Sequence, residues 1–79
     1  MNTVQEQWNA FSKLVVPKDA SPYQKQEMRR SFYAGAEAML RIQFAITEPS
    51  ISENAAVEIL EGLNQELTLF ANEVKNGNA

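Results

Sequence analysis

Two stretches of this chain repeat apolar or small residues at intervals of four and three, and a proline breaks the pattern between them. Met28, Phe32, Gly35, Met39, Ile42 and Ile46 form the first series; Ala56, Leu60, Leu63, Leu67, Phe70 and Val74 form the second. That spacing brings side chains back to one face of an α-helix, whereas a strand needs alternation at every second residue. Each series therefore predicts a helix with an apolar seam. The short break at Glu48-Pro49-Ser50 predicts that the second helix returns antiparallel along the first as a long hairpin. No alternating run is long enough for a strand, so the predicted class is all-α.

Local chemistry sets the expected boundaries. Val4, Trp8, Phe11 and Val15 lie at intervals of four, three and four, which predicts a short N-terminal helix over 3–15 that ends before Pro17. Pro17 to Pro22, with Asp19 and Ser21 between the prolines, resists both helix and strand and forms a connector over 16–21. Ser21 is a good N-cap and Pro22 suits the first helical position, which starts the second helix, expected over 22–47. Ser50, with Glu53 completing a capping box, is expected to open the third helix over 51–75, and Gly77 marks its end. Residues 1–79 read as a single helical domain, the short helix folded across one end of the hairpin.

A chain of 79 residues buries only about 60% of the surface it exposes when unfolded. It has no cysteine for a disulfide and no histidine, the commonest metal ligand, so oligomerisation is the remaining source of extra stability. Tyr33, Ala36, Leu40 and Phe44 widen the apolar face of the second helix beyond what one neighbour covers. We place an interface between copies at Phe32, Gly35, Ala36, Met39 and Leu40, where Gly35 permits close backbone approach.

The net charge of −3 is unevenly distributed. Lys13, Lys18, Lys25, Arg29 and Arg30 outnumber Asp19 and Glu27 between residues 13 and 30, while the chain from Ile42 onward carries six glutamates and only Lys75. Neither a continuous basic face nor a long basic amphipathic helix appears, so DNA and membrane binding are not expected. Met1 to Gln7 has no basic segment leading into an apolar one, and the apolar runs are too short to span a bilayer, so a cytoplasmic location is expected.

Without histidine or cysteine the usual nucleophile and base pairs are absent, so no catalysis, metal or cofactor is expected. Glu53, Glu58, Glu61 and Glu66 read as a solvated helix face. The informative group is Trp8, Phe11, Tyr23, Lys25, Gln26, Arg29, Arg30 and Tyr33, joined by Lys18, brought together if the first helix folds over the start of the second. Cations and the first N–H groups of a helix attract phosphate, and an aromatic ring offers a face on which a nucleobase stacks. The same aromatics at helical spacing also suit a core.

Glu27-Met28-Arg29-Arg30-Ser31-Phe32-Tyr33-Ala34-Gly35-Ala36-Glu37-Ala38-Met39-Leu40, preceded by Trp8 and the Pro17 to Pro22 connector, resembles a group of small bacteriophage proteins. A short helix followed by two long antiparallel helices is similar to the anti-CBASS sponge family. The resemblance implies a homo-oligomer in the cytoplasm of an infected bacterial host that sequesters cyclic dinucleotides or trinucleotides between protomers without cleaving them. It also implies base stacking on Trp8 or Phe11 and phosphate contact by Lys25. The alternative is a small helical phage protein that binds a host or phage protein and inhibits or assembles it.

Overall fold

The structure, a computed structural model, describes residues 2–79; Met1, within the expected single domain, lies outside the described residues. Among these residues the chain is all-helical, with α1 (Val4–Val15), α2 (Pro22–Ile46) and α3 (Glu53–Lys75) and no strand. It divides into two compact units, one ending at Ile42 and the other starting at Gln43. The boundary falls inside α2. A 25-residue helix is about 37 Å long, too long for one small cluster of side chains to cover both its ends.

In the first unit α1 begins where Thr3 leaves the helical conformation. The Thr3 hydroxyl oxygen accepts the Glu6 N–H at 3.1 Å and donates its proton to the Glu6 carboxylate, also at 3.1 Å. The hydroxyl thus satisfies an N–H that the helix itself leaves open, and the Glu6 carboxylate holds that hydroxyl in place. The helix stops at Val15 because the ring of Pro17 excludes the α region for Val16, which is extended at φ −79°, ψ 121°. Ala20 N–H closes a turn onto Pro17 C=O at 3.1 Å, and Ser21 Oγ then accepts the Gln24 N–H at 3.1 Å to start α2 at Pro22.

What holds α1 on α2 is an aromatic triangle. The ring centroids of Trp8–Phe11, Trp8–Phe32 and Phe11–Phe32 lie 5.9, 5.5 and 5.1 Å apart with the rings tilted, within the separation at which aromatic pairs attract. Trp8, 8% exposed, is the one large side chain buried among the described residues; small Ala20 is the other buried apolar residue. Phe32, expected at a contact between copies, is half-buried, with one side of its ring engaged in this triangle. Ala36 and Met39 are half-buried, Leu40 is exposed, and a Cβ at Gly35 meets nothing within 4 Å. The close approach expected at Gly35 is thus not made among the described residues.

The second unit shows how competing caps are resolved. Ser50 and Ser52 are both good N-caps, and the sequence favours Ser50. Ile51 N–H instead bonds Glu48 C=O at 2.9 Å, which places Pro49 and Ser50 inside a four-residue turn. Ser52 takes over as N-cap, its hydroxyl accepting the Ala55 N–H at 3.1 Å, so α3 starts at Glu53 and not at 51. On the other side α2 ends at Ile46, one residue before expectation. Thr47 and Glu48 tighten into bonds three residues back, to Phe44 and Ala45, as the helix meets Pro49.

No residue of α3 is buried: Leu67, Leu69, Phe70 and Val74 are each more than half exposed. The helix closes with a Schellman motif, Asn78 N–H to Glu73 C=O at 2.8 Å and Gly77 N–H to Val74 C=O at 3.0 Å, with Gly77 at φ +77°. Only glycine adopts that conformation without a Cβ penalty. Gly77→Ala is expected to cost about 1 kcal/mol, read as loss of helix from the C-terminal end by amide hydrogen exchange at Glu73 to Asn76.

Candidate functional site

The connector turns α1 back over the first turns of α2, and between them opens a cleft of about 490 Å³. Its walls come from Trp8, Ser12, Lys13 and Val16 at the end of α1, Pro17 and Lys18 in the connector, and Lys25, Gln26 and Arg29 on α2. The volume lies in the range of small-molecule sites. Four of the nine lining residues are cations and none is an acid, on a chain whose net charge is −3. Concentrated positive charge of this kind attracts anions ahead of contact.

Of the residues singled out in the sequence, Trp8, Lys25, Gln26, Arg29 and Lys18 line this cleft. Trp8 does so while packed against Phe11 and Phe32, so little of its ring is accessible for stacking. Phe11 belongs to the same triangle and lies outside the lining. Tyr23 is 71% exposed and lies outside it too. Arg30 pairs with Glu27 at 3.2 Å, one turn apart on an exposed surface away from the cleft.

Tyr33 acts at one remove. Its hydroxyl donates to Gln5 Oε1 at 3.0 Å, and the Arg29 guanidinium carbon lies 4.7 Å from the centre of its ring. Arg29 Nη2 donates to the same Gln5 oxygen at 2.8 Å and stands 3.5 Å from the Tyr33 hydroxyl. Gln5 thereby ties α1 to α2 through one acceptor oxygen, while its own amide nitrogen donates to Asn9 Oδ1 at 2.9 Å. Gln5 and the lining residues Ser12, Lys13, Val16 and Pro17 are absent from the group the sequence singled out. Gln5 and Ser12 carried a signal, standing three before and four after Trp8 and so on its helix face.

Helix α2 contributes less of its N-terminal polarity than expected. Pro22 has no N–H, and the Gln24 N–H is already held by Ser21 Oγ. The positive charge at the cleft therefore comes from its side chains. Among the described residues, Lys13, Lys18 and Lys25 make no ion pair, and no group of three or more acidic side chains gathers where it would hold a metal ion. No helix among these residues is long and apolar enough to cross a membrane. Comparison with protein-family models, curated protein sequences and solved structures finds no match to the chain.

Proposed function

We propose that this protein is a non-catalytic binder that sequesters a phosphorylated, base-containing ligand of the cyclic oligonucleotide type. The observation that carries the reading is the cleft: Lys13, Lys18, Lys25 and Arg29 around one space, with no carboxylate among the lining residues. Cations in that arrangement suit the phosphates of a cyclic dinucleotide or trinucleotide, through charge-assisted hydrogen bonds of the stronger kind. The aliphatic walls of Val16 and Pro17 offer apolar surface to the remainder of such a ligand.

The proposal extends to the setting implied by the resemblance: a phage-encoded sponge in the cytoplasm of an infected bacterium, depleting an immune signal without turning it over. It includes self-association, with copies covering the apolar residues left exposed, Leu67, Phe70 and Val74 among them. The same exposed residues favour a second reading, a module that docks on another protein, in which the cationic cleft serves only as charge complement.

Thermal unfolding with a panel of cyclic dinucleotides and trinucleotides tests the two. A ligand held only by the folded state at a hundredfold excess over Kd adds about 2.7 kcal/mol. For a domain of this size that raises Tm by roughly 10 °C or more. We expect at least one member of the panel to do this and to be recovered chemically intact, with native mass spectrometry showing an oligomer that carries it. No shift with any member would leave the docking module as the better account.

A further inference from the structure

The four cations of the cleft are not equivalent. Lys13, Lys18 and Lys25 are exposed side chains with no ion pair among the described residues, each on a flexible four-carbon stem. Arg29 alone is tethered, by a 2.8 Å bond to Gln5 and by the face of Tyr33. The tether is itself oriented at both ends. Asn9 fixes the Gln5 amide so that its oxygen faces α2, and the Tyr33 hydroxyl shares that oxygen.

The geometry points to Arg29 as the anchor that fixes a phosphate group in the cleft, with Gln5 and Tyr33 as positioning residues that hold its guanidinium ready. This deepens the proposed phosphate-binding function and rests on it. A guanidinium already held in one rotamer loses less freedom when it binds an anion than a lysine that must be ordered in the act. Using only one face of the fork on Gln5 leaves its remaining N–H groups for a phosphate oxygen pair. The lysines then supply attraction that salt screens, and Arg29 supplies geometry. Arginine at this position is for that reason not interchangeable with lysine, whose ammonium has no planar fork and no face to lay on Tyr33.

Gln5 and Arg29 should therefore be energetically coupled in binding, which a double-mutant cycle measures. The probe is inorganic pyrophosphate, titrated at low ionic strength by calorimetry and by the fluorescence of Trp8, the one tryptophan of the chain and part of the cleft wall. Gln5→Leu keeps the size and helix preference of the residue but removes the acceptor. It is expected to weaken pyrophosphate about three- to tenfold, the effect of losing one such hydrogen bond. Arg29→Lys should weaken it by a similar factor, and Gln5→Leu added to Arg29→Lys should then weaken it no further. A merely structural role for Gln5 would lower affinity equally in both backgrounds, and that result overturns the inference. So does an unchanged affinity in Gln5→Leu, or a wild-type protein that fails to bind pyrophosphate.

Should Gln5→Leu unfold, Tyr33→Phe replaces it, since it retains the ring under Arg29 and loses only the hydroxyl; the same coupling is expected. The two proposals separate cleanly. Pyrophosphate binding with the coupling present, but no cyclic oligonucleotide bound, would sink the sponge and keep the anchor. Cyclic oligonucleotide binding without the coupling would do the reverse.

Discussion

Replacing Trp8 with alanine is expected to destabilise the protein by about 3 kcal/mol, the low end of the range for removing a buried tryptophan. The low end applies because its partners Phe11 and Phe32 are themselves only half-buried and can partly collapse into the space. The loss is still severe here. Trp8 is the one large side chain buried among the described residues, and a domain this small has only a few kcal/mol to lose. Far-UV circular dichroism through a urea titration measures it, and Trp8→Phe, which keeps an aromatic ring in the triangle, should lose less than half as much. Binding should fall with stability in Trp8→Ala, since α1 carries Ser12 and Lys13 to the cleft. An unchanged midpoint in Trp8→Ala would mean that the aromatic triangle does not hold α1 in place.

The second large effect is on binding. On the proposed function, reversing two cations of the cleft wall in the variant Lys18→Glu with Lys25→Glu is expected to remove two charge-assisted contacts to the ligand and to replace attraction by repulsion. A contact to a charged group is worth about 1.5–3 kcal/mol, so affinity for a cyclic dinucleotide should drop at least a hundredfold. Both lysines are exposed and without ion pairs, so the unfolding midpoint without ligand should move little, within about 0.5 kcal/mol. Arg30→Glu with Arg41→Glu is the matched control: it reverses the same number of charges at two exposed positions of α2 outside the cleft lining, and it should alter affinity far less. Equal losses in the two variants would show that the net field of the molecule attracts the ligand and that the cleft has no special part in it.

Much of the fold was legible because its signals are local. Pro17 forces Val16 out of the helical region and ends α1; Ser21 and Pro22 start α2; Gly77 takes the left-handed turn after α3. Each acts within four residues of itself, so no knowledge of the rest of the chain is needed. Ser50 shows where local rules stop discriminating. It and Ser52 offer the same hydroxyl two residues apart, and the turn closed by Glu48 and Ile51 decides for Ser52.

The candidate site was less legible. Lys25, Gln26, Arg29 and Lys18 can be picked out by residue type and proximity in the chain, and they do line one space. Arg30 and Tyr23 have the same chemistry and nearly the same position, yet face elsewhere, because on a helix one residue of displacement is a rotation of about 100°. Gln5 was only half legible: its place three residues before Trp8 puts it on that helix face, but its role emerges only when Arg29 and Tyr33 are found across from it, 24 and 28 residues away.

What the sequence determined unaided is therefore the helical class, the helix ends other than the start of α3, and the concentration of positive charge on the first half of the chain. Only the tertiary structure decided that Trp8 is buried against Phe11 and Phe32, and that Lys13, Lys18, Lys25 and Arg29 surround a single cleft. The reason is physical. Helix periodicity assigns a residue to a face, but the angle at which α1 returns over α2 comes from how three aromatic rings pack, and that angle selects which of the neighbouring cations share a space.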